Sequence, residues 1–494
     1  MSVKATEHSL ARVVISGAGL IVAAGAVSKV FSLATAPVLT RVLGPSPYGV
    51  VSLLSTVTAF AGTASLLGID HSYSRFFFSG KGENRDAVEK FCWRFSAGAT
   101  GVVSLLAGLG WWWWSGRAGL PPELAVMVAA GVLLSTLRTM GTTRQRLRGR
   151  YSRIAVAIVA AGGCGALFAI AIAVFLRADA WALLGGSAGG VAVGVAIMGL
   201  PGSRDLTGKS GLSSPQRWEI IRLGLAGATI APMYWLMNSA DRWFIGMWHG
   251  QEALGVYSFA MSIGTIGIMV NNAITVTWFP EMTRVYEDSR EEAPAQLGRM
   301  WARLAAGLLV MWLAITAAGG DVIRLLADRR FHPGAAYVPW IAGGIFFYGI
   351  CSLANTGLLL RKDLNPVAGW WLLGALANLF LNYLLVRPMG AAGAAVAACL
   401  GFAFVAAGVM SSAQARLRLV VPWERLAAAA GLALAAGVAM HLPWAGTAAL
   451  SLALKFPVGV VCAAALMRIT APDWFDRLVR GEFVRWPGRR RNGS

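Results

Sequence analysis

Long apolar runs separated by short polar segments repeat along the whole chain of 494 residues. A run of about 18 or more apolar residues can cross the ~30 Å hydrocarbon core of a bilayer as an α-helix. The pattern therefore predicts an all-α polytopic membrane protein with about fourteen transmembrane helices. The predicted spans lie near 13–36, 48–69, 95–114, 121–140, 154–176, 180–200, 219–240, 253–279, 300–319, 336–360, 367–386, 390–414, 426–443 and 446–467.

The polar segments between the runs are too short to fold on their own. None is longer than roughly 25 residues, which leaves no room for a domain outside the membrane. We therefore expect any function to reside in the helices and the short loops between them.

The charge distribution predicts how the helices are oriented. Only 13% of the residues are charged, and the net charge is +20. Such a basic excess could indicate nucleic-acid binding, but the Lys and Arg residues fall between apolar runs, so no nucleic-acid partner is expected. Of the 43 Lys and Arg residues, 33 lie in every second polar segment and 8 lie in the other polar segments. The remaining two, Lys29 and Lys455, lie within predicted spans. The positive-inside rule then predicts a cytoplasmic (inner) membrane protein with both termini in the cytoplasm.

The cysteines do not form a pattern that would bind metal. The five residues lack the paired spacing of a metal site or of a disulfide framework, so we expect free thiols, no metal and no catalytic residues. They are Cys92, Cys164, Cys351, Cys399 and Cys462.

Two segments half a chain apart indicate an internal duplication. The segment Leu39 to Gly49 joins the first two helices of one half, and Asp241 to Ser258 joins the first two helices of the other. The basic loop Arg146 to Arg153 is echoed by residues 361–363. Because a six-helix unit has an even number of spans, its two copies would insert in the same orientation as parallel repeats. The predicted organisation is an N-terminal lobe (1–204), a cytoplasmic linker (205–218), a C-terminal lobe (219–414), two further helices (415–467) and a basic cytoplasmic tail (468–494).

These segments resemble the polysaccharide-transport (oligosaccharide flippase) family of the MOP superfamily, which also includes lipid II flippases and MATE drug exporters. The resemblance depends on Thr40 to Gly49, on Asn238 to Ser258, and on Asn378 to Asn382 followed by residues 390–395. It implies two six-helix lobes around a central cavity, alternating access, and a lipid-linked sugar on a polyprenyl (pyro)phosphate carrier as substrate. The last two helices would be accessory. Besides the substrate and the lipid bilayer, polysaccharide-assembly proteins are candidate partners; no cofactor is implied, and a coupling ion, H⁺ or Na⁺, is left open.

Charged residues inside the spans are the first candidates for contact with a phosphate-bearing headgroup. Burying an ammonium in a bilayer costs about 2.5–3.5 kcal/mol on insertion scales, so such residues usually face a cavity. Lys29 in the first helix is the leading candidate, with snorkelling toward the interface as the alternative. Lys455 in the last helix is the second.

Further candidates lie at helix ends. Repeat symmetry would place Arg41, Asp241 and Arg242 around one mouth, where Asp241 either meets Arg41 or Lys29 across the lobes or is only a local helix-end charge. On the other side, Asp70 and Arg75 begin the first cytoplasmic loop. They either receive the pyrophosphate or belong to an ordinary solvated loop.

Uncharged polar residues also occur within the spans. Asn238 is a candidate for the cavity. Asn378 and Asn382 are four residues apart, share a helix face, and are suited to hydrogen bonds between helices, as structural or gating contacts.

Two other function classes compete with a flippase. A membrane enzyme of polysaccharide assembly would need acidic or histidine residues gathered on a large loop, and that loop is missing from the predicted layout. An ion-coupled cation exporter should carry buried carboxylates, and no carboxylate is predicted to lie as deep as Lys29 and Lys455. The chain is therefore predicted to carry an anionic substrate.

Overall fold

The computed structural model of the chain describes residues 2–79, 83–201, 211–227, 231–288, 290–360 and 365–480. Every regular element in these ranges is helical. The α-helices are α1 Ser2–Leu43, α2 Pro45–Leu66, α3 Ile69–Ser79, α4 Glu83–Ser115, α5 Ala125–Leu147, α6 Tyr151–Phe175, α7 Ala180–Met198, α8 Ser214–Gly227, α9 Ala231–Gly264, α10 Ile266–Asp288, α11 Ala293–Leu326, α12 Val338–Leu360, α13 Asn365–Met389, α14 Ala391–Arg416, α15 Trp423–His441, α16 Ala448–Thr470 and α17 Pro472–Val479. Residues 205–210 of the predicted linker, the basic echo 361–363, and residues 481–494 of the basic tail lie outside the described residues.

Thirteen helical stretches of the described residues are long and apolar enough to cross a membrane. One of them, Pro232–Asp288, has 57 residues. At 1.5 Å per residue it would be about 85 Å long, far more than one crossing needs. Gly250 interrupts it with φ 79° and ψ −179°, so this stretch contains two spans. The prediction of about fourteen transmembrane helices is thus confirmed.

The helices extend beyond the predicted spans. Hydropathy marks only the part of a helix inside the hydrocarbon, whereas the helix continues through charged residues into the headgroup region. Two assignments to loops are therefore wrong. Asp70 and Arg75 lie on α3, which follows α2 after two residues with positive φ, Leu67 and Gly68. Arg146 lies in the last turn of α5.

The chain divides into two compact units. The first comprises Met1–Phe259, Leu326–Pro333 and Trp371–Ala398, and the second comprises Ala260–Leu325, Gly334–Trp370 and Cys399–Ser494. The division into lobes on either side of residues 205–218 stays a prediction.

Each unit has its own apolar core. In the first unit α3, α4 and α5 meet around Tyr73, Cys92 and Met140, all of which are nearly inaccessible to solvent. In the second unit α15 and α16 pack on α11 through Ala429 and Leu466. The amphipathic α3 is therefore a packed part of the first unit.

Two glycines within the first unit form matching junctions. Gly44 ends α1 with φ 72° and ψ −178°, and Gly250 breaks α9 with φ 79° and ψ −179°. Glycine adopts this left-handed region without the penalty that a Cβ imposes. Each junction follows the first predicted span of its half and precedes the second. Equal backbone geometry at corresponding places accords with the predicted duplication.

The two junctions also pack on each other reciprocally. A Cβ on Gly49 would overlap the carbonyl of Gln251, and a Cβ on Gly255 would overlap the carbonyl of Pro45. Gln251 and Gly255 follow Gly250 at the same intervals at which Pro45 and Gly49 follow Gly44. The absence of a side chain at these two positions therefore lets two helix starts approach backbone to backbone.

Replacing either packing glycine should separate these helix starts. We expect Gly49→Ala and Gly255→Ala each to destabilise the protein by about 1–3 kcal/mol, because the carbonyl in contact cannot move aside like a flexible side chain. The measurement is the midpoint of thermal unfolding in detergent. The matched controls are Gly98→Ala and Gly101→Ala on α4, where an added Cβ meets nothing within 4 Å. Equal midpoints for all four variants would contradict the close packing.

Candidate functional site

A cavity of about 620 Å³ lies within the first unit. Its walls come from α1, α5, α6 and α7, and Asp70 of α3 contributes the only carboxylate among the described lining residues. On α1, the lining residues Ser28, Ser32 and Thr35 recur at intervals of three and four, so they share one helix face. Ser187 of α7 adds another hydroxyl. The cavity is thus a partly open space between transmembrane helices, with polar groups within a largely apolar lining.

The most polar wall belongs to α5. Arg138, Thr139, Thr142, Thr143 and Arg146 all line the cavity. Their spacing places them on one face of the helix, with the two arginines about 12 Å apart along the axis. The Thr139 hydroxyl donates to the carbonyl of the preceding turn, which leaves its oxygen free to accept. This face offers two cations and three hydroxyls to the cavity.

Glu89 of α4 pairs with some of the arginines at the C-terminal end of α5 and not with others. Its buried carboxylate accepts from Arg144 Nε at 2.7 Å and from Arg148 Nη2 at 3.0 Å. The Tyr73 hydroxyl donates to the same carboxylate at 2.9 Å. Two of the four arginines between 138 and 148 are thereby paired with a carboxylate, and they are not the two that line the cavity.

Arg138 and Arg146 have no such partner. Across the described ranges of the chain, neither guanidinium makes a hydrogen bond or an ion pair, and both side chains are exposed. A guanidinium carries five N–H donors and does not lose its charge. The cavity wall therefore holds two cations with unused donors.

Small residues let α6 pack closely on α1 and α7 beside the cavity. Gly162 and Gly165 line it, and a Cβ on Gly162 would overlap the Ser28 hydroxyl. Beyond the lining, Gly190 of α7 approaches the carbonyl of Ala161 equally closely. Such contacts are typical of membrane helices that pack through small residues.

Several predicted site residues lie near this cavity. Asp70 lines it, whereas Arg75 is exposed on the same helix. Lys29 is partly buried on α1 and follows the lining residue Ser28, but it does not itself line the cavity. The cationic wall comes instead from α5.

Arg41 lies elsewhere, at the exposed end of α1. Its carbonyl accepts from Arg330 Nη2 at 3.1 Å. Arg330 also donates through Nε to Asp328 at 2.7 Å. The hydrogen bonds from the Arg330 side chain and backbone hold the pKa of Asp328 below its usual value. The backbone N–H of Asp328 in turn donates to the Thr40 hydroxyl at 3.1 Å, so this end of α1 is fixed by a local network.

Asp241 and its neighbours are also held locally. Asp241 is only 1% exposed, and it accepts from the Tyr257 hydroxyl and from the backbone N–H of Arg242. Because Tyr257 lies beyond Gly250, this bond joins the two spans of the hairpin. Of the two predicted alternatives, a partner across the lobes (Arg41 or Lys29) and a local charge, these contacts favour the local one. Asn238 donates to the carbonyl of Tyr234. The two predicted helix-packing asparagines behave similarly: Asn382 donates to Asn378 Oδ1 at 3.1 Å, and Asn378 donates to the carbonyl of Ala397 on α14 at 3.3 Å.

Lys455, which the sequence predicts to bind substrate, is paired inside the second unit and does not line the cavity. Its side chain is 3% exposed, and Nζ donates to Asp321 Oδ2 at 2.6 Å and to the Ala317 carbonyl at 3.3 Å. Ser451 donates to the same carboxylate, and Arg324 to its other oxygen. A buried ammonium needs a partner within hydrogen-bonding distance, and α11 supplies it. Lys455 therefore fixes α16 to α11.

The expectation that no carboxylate lies deep in the spans is wrong. Asp321 is fully buried and Asp241 nearly so. Asp321 was missed because it follows the apolar run that ends near residue 319, whereas α11 continues to Leu326. Arg138 and Arg146 were missed because both were counted with the cytoplasmic charge, although Arg138 lies inside the predicted span near 121–140. Their spacing with Thr142, at intervals of four, was the signal that could have found them.

The helical fold of the described residues is similar to that of several solved membrane transporters. It matches the lipid II flippase MurJ in an inward closed conformation with a TM-score of 0.69 at 10% identity, over 94% of this chain and 100% of that chain. An inward-facing multidrug resistance MATE transporter matches with a TM-score of 0.59 at 14% identity, over 82% and 98%. A Vibrio cholerae MATE transporter matches with a TM-score of 0.52 at 14% identity, over 83% and 98%. At these identities the likeness concerns the fold.

A family model described as polysaccharide biosynthesis protein matches residues 38–313, which is more than half of the chain. The chain belongs to this family. The resemblance noted at the two repeat junctions is thus confirmed. No curated protein matches the chain.

Breaking the Lys455–Asp321 pair should destabilise the second unit. We expect Lys455→Ala to cost about 3–5 kcal/mol, because it leaves a buried carboxylate without its closest cation. The double variant Asp321→Asn with Lys455→Gln should recover much of the loss, since it removes both charges. Thermal unfolding midpoints in detergent test this, with Arg468→Ala, an exposed cation on the same helix, as control. An unchanged midpoint for Lys455→Ala would refute the packing role.

Proposed function

We propose that the protein is a flippase that moves a polyprenyl-(pyro)phosphate-linked oligosaccharide or another cell-envelope precursor from the inner to the outer leaflet of the cytoplasmic membrane. The observation that carries this proposal is the cavity of the first unit, with its two unpaired arginines and its hydroxyls. Membership of the polysaccharide biosynthesis family supports the substrate class. The fold shared with a lipid II flippase supports a mode of action by alternating access.

The chemistry of the cavity suits the two parts of such a headgroup. Guanidinium groups bind phosphate oxygens through paired, charge-assisted hydrogen bonds. Hydroxyl oxygens such as those of Thr35 and Thr139, which donate to their own helices, can accept from sugar hydroxyls. Flipping breaks no bond, so we propose a transporter and not an enzyme.

The predicted orientation indicates on which side of the membrane the α5 wall of the cavity lies. With both termini in the cytoplasm, the C-terminal end of α5 faces the cytoplasm, where a lipid-linked precursor would enter from the inner leaflet. Two six-helix lobes would alternate in exposing the path, with α15 and α16 outside that exchange. A coupling ion, H⁺ or Na⁺, and contacts with polysaccharide-assembly proteins belong to the same proposal.

A cation exporter is the second candidate, because two carboxylates are buried in the spans and MATE transporters share the fold. The lining of the cavity supports the cation-exporter function less well. Asp321 is paired with Lys455, Asp241 is bonded to Tyr257, and neither lines the cavity. A cationic substrate would also meet two arginines there.

Depletion of the protein in its native cell tests the proposal. We expect a lipid-linked saccharide to accumulate on the inner leaflet, inaccessible from outside to a membrane-impermeant sugar-modifying probe. Expression of the wild-type chain should restore outside labelling. If no saccharide lipid accumulates and the cells instead become sensitive to cationic drugs, the exporter function replaces the flippase.

Lys29 provides a residue-level test. We expect Lys29→Ala to lower outside labelling by about tenfold or more, since a partly buried ammonium beside the cavity can attract an anionic headgroup. Lys29→Arg keeps the charge and should retain most of the activity. Protein levels in the membrane must be equal for the comparison. Normal labelling in Lys29→Ala cells would remove this residue from the transport path.

A further inference from the structure

We propose that Arg138 and Arg146 of α5 form the subsite that holds the phosphate groups of the transported headgroup; the identification of the ligand as a lipid-linked diphosphate rests on the proposed function. Both residues line the cavity, and neither has a partner within the described ranges. The subsite lies inside one unit and is built on one helix.

The pairing pattern distinguishes this pair from ordinary cytoplasmic charge. An excess of arginine at the inner end of a membrane helix needs no ligand to explain it. Here, however, Arg144 and Arg148 point to Glu89, which accepts from both. Only Arg138 and Arg146 turn to the cavity. The helix thus uses one pair of cations for packing and keeps the other pair available.

The spacing of the pair suits a ligand with more than one anionic group. The two Cα atoms are about 12 Å apart along the helix, and both side chains are long enough to reach inward between them. Thr142 lies on the same face at the midpoint and can add a hydroxyl. Each guanidinium can bind one phosphate through two parallel N–H donors.

Other walls of the cavity offer hydroxyls to the sugar. Ser28, Ser32 and Thr35 line it from α1, and Ser187 lines it from α7. With Asp70 as the single carboxylate among the described lining residues, the wall retains one net positive charge when empty. This positive charge attracts an anionic diphosphate ester before the ester makes close contacts. Once it is bound, the ester makes the net charge of the site negative.

Binding to the purified full-length protein in lipid nanodiscs tests the subsite separately from transport. The probe is farnesyl diphosphate, with inorganic pyrophosphate as a second arm, and the readout is the dissociation constant at fixed ionic strength. We expect Arg138→Ala and Arg146→Ala each to weaken binding of farnesyl diphosphate about tenfold or more. Arg138→Lys should lose part of the affinity, because an ammonium cannot bind bidentately.

The matched control is Arg150→Ala, which removes the same charge from an exposed position just beyond α5 that does not line the cavity. It should bind the probe as the wild type does. An equal loss for Arg150→Ala, or wild-type affinity in the Arg138→Ala, Arg146→Ala double variant, would overturn the subsite. Unfolding midpoints must show that all variants are folded; should the double variant fail to fold, Arg138→Gln and Arg146→Gln take its place in the same comparison.

The outcomes separate this inference from the flippase proposal. If the arginines bind farnesyl diphosphate but depletion leaves no saccharide lipid on the inner leaflet, the subsite stands and the flippase function fails. If depletion traps the saccharide lipid while the arginine variants bind and export normally, the function stands and the subsite fails. Equal affinity for inorganic pyrophosphate would assign the subsite to a free anion and overturn the lipid-linked source.

Discussion

The hydrocarbon core of a bilayer offers no hydrogen bonds, and this constraint governs the rest of the structure. Backbone groups there must be satisfied within helices, and charged side chains need a partner or a polar space. The charges described above meet that demand in different ways. Lys455 and Asp321 satisfy each other, Asp241 is bonded to Tyr257, and Glu89 pairs with two arginines. The cavity supplies a polar space for Arg138 and Arg146.

The same constraint explains the positions of the glycines at the two junctions. Helices in lipid gain little from burying apolar side chains against one another, so close backbone approach contributes more. At the two junctions, glycine serves twice. Gly44 and Gly250 adopt a backbone conformation that other residues resist, and Gly49 and Gly255 let the following helices touch. The two segments of the predicted duplication thereby make a reciprocal contact.

Much of the fold could be predicted from the sequence, and less of the site. Apolar length and charge alternation were sufficient for the number of spans, because both reflect the bilayer directly. They did not reveal where helices continue beyond the hydrocarbon, and for that reason Asp321 and Arg146 were counted as loop residues. Nor can periodicity reveal that Glu89 binds Arg144 and Arg148 and not Arg138, since this choice depends on which helix lies on which side. Lys455 was recognised as unusual, but its partner lies 134 residues away in the sequence.

The pairing of α16 with α11 has a consequence for how the protein is made. Membrane helices enter the bilayer in order as the chain is synthesised, so Asp321 is inserted well before Lys455 emerges. Until then, its carboxylate has only Arg324 of its own helix as a cationic partner among the contacts described. Lys455 of the last long helix therefore supplies the partner of a carboxylate that was inserted five spans earlier. A chain that ends before it would retain a buried carboxylate in the membrane without its lysine partner.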